Sequence, residues 1–165
     1  MTVFVFLKIK ELLDKNKIEY SHITHEHVHR SEDAAKIRGT SLDSAAKAII
    51  VKAEKKAANG EKIFEFFQCV IGGDKRIDLK RFKVLLDSRN VSLASPDEVL
   101  ERTGCTIGSV PPFGNFFNMK VYMEKSLLDK DQIVFSAGTH NDSILLKPQD
   151  YLKVVEPVVE LFAKE

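Results

Sequence analysis

The sequence of 165 residues is short of several things, and each shortage narrows what it can be. It holds two cysteines, Cys69 and Cys105, with no metal-ligand spacing and no partner framework, so both are expected to be reduced thiols in a cytosolic protein. Charge of one sign is lacking too: 25 basic against 24 acidic residues leave +1, which argues against broad electrostatic binding of long nucleic acid and leaves only local basic patches. No long apolar run opens the chain. The stretch from Val3 to Leu7 has five apolar residues and no basic region before it, which fits neither a secretory signal nor a membrane span, and it is expected to begin a helix. The nucleophile elbow G-x-S-x-G, the P-loop and the dinucleotide-binding glycine fingerprint are also missing. Ser109 follows a glycine, but Pro111 and Pro112 forbid the helix that an elbow needs, which argues against a serine nucleophile and covalent hydrolysis.

What is present is an ordinary globular composition, 44% hydrophobic and 30% charged, long enough for one domain over residues 1–165 to bury roughly two-thirds of its unfolded surface. Leu7, Ile9, Leu12 and Leu13 predict an amphipathic helix to Lys15, with Asn16 as its stop. A strand is expected through IEYSHITHE, then a helix capped by Ser31 and ended by Gly39. SLDSAAK adds a helical turn. AIIVKA and KIFEFFQCVI, joined across Asn59-Gly60, predict an antiparallel pair. DLKRFKVLL predicts a short helix, and Ser95-Pro96-Asp97-Glu98 a strong helix start. NMKVYME, DQIVFSAG and DSILLKP are three further strands, and Pro148 opens a last helix that Pro157 ends or kinks. Strands and helices mix without a regular βαβ rhythm, which predicts a mixed sheet wrapped by helices.

Four places carry chemistry. Residues 104–116, GCTIGSVPPFGNF, concentrate three of the eight glycines and two of the five prolines. Such a mixture specifies a shaped loop with little side-chain chemistry, whose backbone amides and carbonyls are its functional surface. Lys47 stands alone as a cation between small residues and an apolar strand, either snorkelling from the strand end or held where its charge acts at short range. AGTHNDSI gathers Gly138, Thr139, His140, Asn141 and Asp142 into one turn; turn formation explains the group, and His140 adds a titratable ring that a turn does not require. His25, His27 and His29 alternate and would share one strand face, but no fourth ligand lies near, so a solvated edge is the simpler reading and no metal is expected.

Tyr20, the SEDAA helix start, RGTSLDSAAKAIIVKA, GSVPPFG and AGTHNDSILLKP together resemble, in order and over nearly the whole chain, the YbaK/prolyl-tRNA synthetase-associated domain family of aminoacyl-tRNA editing proteins. The resemblance implies an α/β single domain with a curved mixed sheet of six or seven strands around a pocket. It implies hydrolysis of the ester joining a wrong amino acid to tRNA. In the family the G-x-x-x-P loop, here Gly108 to Pro112, borders the pocket for the tRNA 3′ end, and the lysine matching Lys47 is essential. The site implied is therefore Lys47, Gly108 and His140 as catalytic residues. Substrate would be bound by Tyr20, Ser109, Val110, Pro111, Pro112, Gly138, Thr139, Asn141 and Asp142.

An aminoacyl ester is already reactive, so a placed water and stabilised negative charge suffice, without cofactor or metal. Because a synthetase pocket separates substrates differing by a methylene by only about 1–3 kcal/mol, a second hydrolytic sieve is useful, and the length suits the sieve alone, acting in trans. His140 resembles the branch that removes alanine from tRNA for proline, which makes alanyl- or cysteinyl-tRNA for proline the expected substrate. The expected partners are the acceptor end of tRNA and a synthetase, with no membrane and a cytoplasmic location. Lys75, Arg76, Lys80, Arg81 and Lys83 are candidates for acceptor-stem phosphates or simply a solvated helix face. The rival reading is a non-catalytic module that binds tRNA or a synthetase on the same fold.

Overall fold

The computed structural model describes residues 2–26 and 31–165. In chain order its elements are α1 (Thr2–Lys15), β1 (Tyr20–Thr24), α2 (Ser31–Arg38), β2 (Ala46–Lys56), β3 (Lys62–Gly72), α3 (Leu79–Leu86), β4 (Val91–Leu93), α4 (Pro96–Thr103), β5 (Lys120–Glu124), β6 (Ile133–Ser136), β7 (Asp142–Leu146), α5 (Pro148–Val155) and β8 (Val158–Glu160). Short 3₁₀ turns lie at Leu42–Ser44, Gly114–Phe117 and Lys125–Asp129.

Local chemistry accounts for the boundaries. In α1 the spacing of Val5, Ile9 and Leu13 puts all three on one buried face, and Asn16 ends the helix by donating its side-chain amide to the Leu12 carbonyl at 2.8 Å. The start of α4 is a capping box: Ser95 Oγ accepts from the Glu98 N–H, the Glu98 carboxylate accepts from the Ser95 N–H, and Pro96 opens the first turn. A cap of this kind stabilises by about 1 kcal/mol.

β2 and β3 pair antiparallel from Ala46↔Gly72 to Lys56↔Lys62, closed by the turn at Asn59-Gly60. Alternation along the two strands feeds two cores. Ile50, Phe66 and Val70 join one that includes α1, β6, β7 and α5; Val51, Ala53, Phe67, Cys69 and Ile71 join the other, against Phe82 of α3 and Phe162.

The expected mixed α/β architecture is observed, with its strands divided differently. Eight strands among the described residues form a five-stranded sheet, β4-β2-β3-β5-β8, and an antiparallel three-stranded sheet, β1-β7-β6. The sheets meet at the free edge of β2. An isolated parallel bridge joins Ala45 to Val134 just before β2, while β4 takes the same edge further on, at Val51 to Ala53. The two strands not anticipated, β4 and β8, have three residues each, too few for a readable period, and exist through their pairing with β2 and β5. The first strand is shorter than expected and stops at Thr24, and α5 ends at Val155, two residues before Pro157.

Candidate active site

The bridge between Ala45 and Val134 decides where Lys47 sits. Continuing that parallel register by two residues brings Lys47 level with Ser136, the last residue of β6, and Ser136 pairs in turn with Ser143 of β7. Lys47 has the strand parity of Ile49 and Val51 but lies beyond the packed core, half-buried at the strand's start. The small residues before it, Ala45 and Ala46, are buried where the two sheets meet.

The loop between α4 and β5 is held from beneath by its carbonyls. Ser136 Oγ donates to the Gly108 carbonyl at 2.9 Å, the Gly138 N–H to the Ser109 carbonyl at 3.0 Å, Gln68 Nε2 to the Pro111 carbonyl at 2.9 Å, and the Tyr151 hydroxyl to the Pro112 carbonyl. Gln68, fully buried, also accepts the Gly114 N–H at 2.9 Å. Among the described residues no group accepts from the N–H of Gly108, a half-turn whose φ of +90° only glycine adopts readily. The four bonded carbonyls hold the loop as a shaped stretch of backbone.

The late turn is clasped onto this loop. Besides the Gly138–Ser109 bond, Thr106 Oγ1 lies 2.9 Å from His140 Nε2. Gly138 has φ +96°, so the chain reverses there. Within the turn the Asp142 carboxylate accepts from Thr139 Oγ1 at 2.7 Å and faces His22 Nε2 at 2.7 Å. Burial pushes the Asp142 carboxyl up, but the bonds from Thr139 and His22 and the charges of His22 and His25 outweigh it, and the net shift is below the usual carboxylate range. Asn141 pins the end of β1 through its backbone carbonyl and side-chain amide, both bonded to the His25 main chain.

With this geometry in place, the comparison with known proteins is direct. The family model described as aminoacyl-tRNA editing domain matches residues 25–154. The chain belongs to the aminoacyl-tRNA editing domain family. Among its relatives is the multifunctional Ser/Thr-tRNA deacylase ProXp-y of Escherichia coli (strain K12), 32% identical, the match covering 93% of this chain and 89% of the relative. Another is the prolyl-tRNA editing protein ProX of Acetoanaerobium sticklandii, 26% identical over 87% of this chain and 86% of the relative. The fold matches the crystal structure of a proposed trans-editing enzyme for prolyl tRNA synthetase with a TM-score of 0.77 at 20% identity, covering 98% of each chain.

In this editing domain the expected site residues fall into two sets. Lys47, Gly108 to Pro112 and Gly138 to Asp142 gather where the two sheets meet. Tyr20 does not join them. It pairs with Leu146, at the end of β1 away from the late turn, and its hydroxyl donates to Asp14 of α1 at 3.1 Å. It also precedes the matched span. Four residues that bind the loops together, Gln68, Thr106, Ser136 and Tyr151, escaped the sequence reading because nothing in their local pattern separates them from ordinary strand, loop or helix residues.

Serine and metal chemistry can be weighed at the same place. Ser109 is 1% exposed and spends its hydroxyl proton on the Thr106 carbonyl at 2.8 Å. His25 Nε2 meets Ser143 Oγ at 2.7 Å, a serine–histidine pair, but Ser143 is 0% exposed and beyond reach of an ester. Residues 25–29, His-Glu-His-Val-His, spell H-E-x-x-H, a pattern the histidine reading overlooked; it works only on a helix. His25 and Glu26 follow β1 in non-helical backbone, both His25 ring nitrogens have partners, and His27 and His29 lie outside the described residues. The described residues contain no cluster of three metal-ligating side chains. Both thiols are buried, and burial pushes each above its ordinary value. No described helix is long and apolar enough to cross a membrane.

Proposed function

We propose that this chain is a trans-acting, metal-independent aminoacyl-tRNA deacylase that hydrolyses the ester of mischarged tRNA by attack of water. One observation carries the reading: the Gly138–Ser109 bond clasps the turn bearing His140 onto the Gly108 loop, at the edge of the sheet where β2 begins at Ala46, one residue before Lys47. Lys47 holds the terminal phosphate or the ester carbonyl by charge. The Gly108 amide meets the oxygen on which negative charge develops, and the rigid loop excludes all but a small aminoacyl group. Water is the nucleophile, since the Ser109 hydroxyl is buried and already committed.

The amino acid removed is small. Seryl and threonyl esters stand first, because the relative ProXp-y is named for them and the similarity extends over 93% of this chain. Alanyl- or cysteinyl-tRNA for proline stands second, on the histidine of the late turn and on the likeness to ProX. The tRNA approaches over Lys75, Arg76, Lys80, Arg81 and Lys83. These lie on the segment that leaves β3 after Gly72, which pairs with Ala46 beside Lys47, and on into α3. Asp78 already caps α3 by accepting from the Lys80 and Arg81 amides, so phosphates are met there by side chains.

The test is a panel of seryl-, threonyl-, alanyl-, cysteinyl- and prolyl-tRNAs incubated with the purified chain, with tRNA binding measured alongside and a chelator in a parallel arm. Release of serine or threonine at an unchanged rate in the chelator is expected. Binding of tRNA without release of any amino acid identifies a non-catalytic module, and a rate lost to the chelator overturns metal independence.

A further inference from the structure

We propose that the main-chain carbonyl of Ala48 receives the α-amino group of the aminoacyl ester, so that the site selects esters whose amino group is free. Alternation along β2 leads there. The odd residues bond toward β3, as the Gly73 N–H does to the Ala45 carbonyl at 2.9 Å. The even ones face the opposite edge, where the Glu54 N–H donates to the Asn90 carbonyl and the Ala94 N–H to the Ile50 carbonyl, both at 2.9 Å. Ala48 therefore turns its carbonyl to that edge, one pairing short of Ala94. From the other side, the bridge between Ala45 and Val134 sets a parallel register in which the Gly138 N–H would be the donor to Ala48. Gly138 instead turns away at φ +96° and gives its N–H to the Ser109 carbonyl at 3.0 Å. Among the described residues no group donates to the Ala48 carbonyl.

This acceptor belongs to the proposed site. Ala48 is half-buried, its methyl packed against the core, with Lys47 before it and Gly138, bonded to Ser109 of the glycine loop, beside it in the register. A main-chain carbonyl only accepts, so its partner must be a donor, which excludes the phosphate, the ester carbonyl and the developing oxyanion. An aminoacyl ester is the same N–Cα–C=O unit as a residue of the chain. Lying along the edge where residue 138 would have continued β6, it brings its nitrogen to the Ala48 carbonyl. A positively charged amine makes a hydrogen bond roughly twice as strong as a neutral donor does. An N-acylated ester, as in formyl- or peptidyl-tRNA, has lost that charge, and the site passes over it.

The inference rests on the reading of the site as a deacylase centre, and two measurements separate them. Ala48-Ile49 is the one Ala-Ile step in the sequence, so isotope labelling of alanine carbonyls and isoleucine nitrogens yields a single correlation peak that reports the Ala48 carbonyl. The probe is adenosine carrying serine at its 3′ position through an amide, which is not hydrolysed. It is expected to move that peak downfield, while the same compound N-acetylated, or with a hydroxyl in place of the amino group, leaves the peak where it was. Movement of the Gly108 and Gly138 amide signals without the Ala48 peak overturns the inference alone; no movement of any of them overturns the reading of the site with it. In turnover, the aminoacyl-tRNA released fastest is compared with its N-acetylated form and its deaminated hydroxy-acid counterpart, each rate divided by that of spontaneous hydrolysis. The normalised kcat/KM is expected to fall at least about tenfold for both, the effect of one lost hydrogen bond to a charged group. Equal normalised rates for the amino and hydroxy esters overturn the proposal and leave the carbonyl to a ribose hydroxyl or water. A fall for the N-acetyl ester alone overturns it too, since bulk then explains the loss.

Discussion

Gly108 and Ser109 are neighbours with opposite demands. At φ +90° a side chain on residue 108 costs about 1–2 kcal/mol of backbone strain and stands on the surface proposed to meet the aminoacyl group. Ser109 points its hydroxyl into the protein. Gly108→Val is therefore expected to lose turnover while destabilising less than a core cavity does, and Ser109→Ala to retain most activity; an inactive Ser109→Ala with a trapped acyl-enzyme would reverse the assignment. Asp142 gives a pH signature at the same scale. Its folded-state pKa is lowered, so its stabilisation is present in full above the ordinary carboxylate value and is lost as pH falls through the lowered one. Asp142→Asn is expected to cost about 1 kcal/mol at neutral pH, with the difference closing below the usual carboxylate range. Denaturant titrations at several pH values measure it, and a gap that stays constant into acid contradicts the sign.

Elements position the site by reaching under the loop from different parts of the chain. Tyr151 of α5, 0% exposed, supplies the donor for the Pro112 carbonyl, and burial pushes its phenol well above the ordinary value. Tyr151→Phe leaves that carbonyl without its donor and is expected to cost about 2 kcal/mol, read as a lower denaturant midpoint at unchanged slope; a change of a few tenths would mean that α5 does not anchor the loop. What could be read from sequence follows from the range of the interactions. The α4 start was legible because Ser95 and Glu98 bond across three residues, and the β2–β3 hairpin because both strands alternate around one turn. Gln68 and Gly114 are 46 residues apart and Tyr151 and Pro112 are 39, so their pairing leaves no local trace. Tyr20 shows the converse: its place in the first strand was legible, but the register with Leu146, which sets it at the end away from the late turn, was not.

At the scale of the molecule, a charge of +1 leaves attraction for tRNA to be local, and the basic segment leaves β3 from the end where Gly72 pairs with Ala46, next to Lys47. The fold sets one cation at the start of β2, two clasped glycine turns beside it, and no free hydroxyl nucleophile among the residues of those turns. Everything in the proposed chemistry turns on that cation. The decisive measurement is single-turnover deacylation by Lys47→Ala, with melting temperature and tRNA binding measured on the same preparation. A fall in rate of about 10²–10³ at unchanged melting temperature and little-changed binding is predicted, with Lys47→Arg rescuing poorly because a planar guanidinium does not replace an ammonium. Wild-type turnover in a folded Lys47→Ala protein would contradict the account.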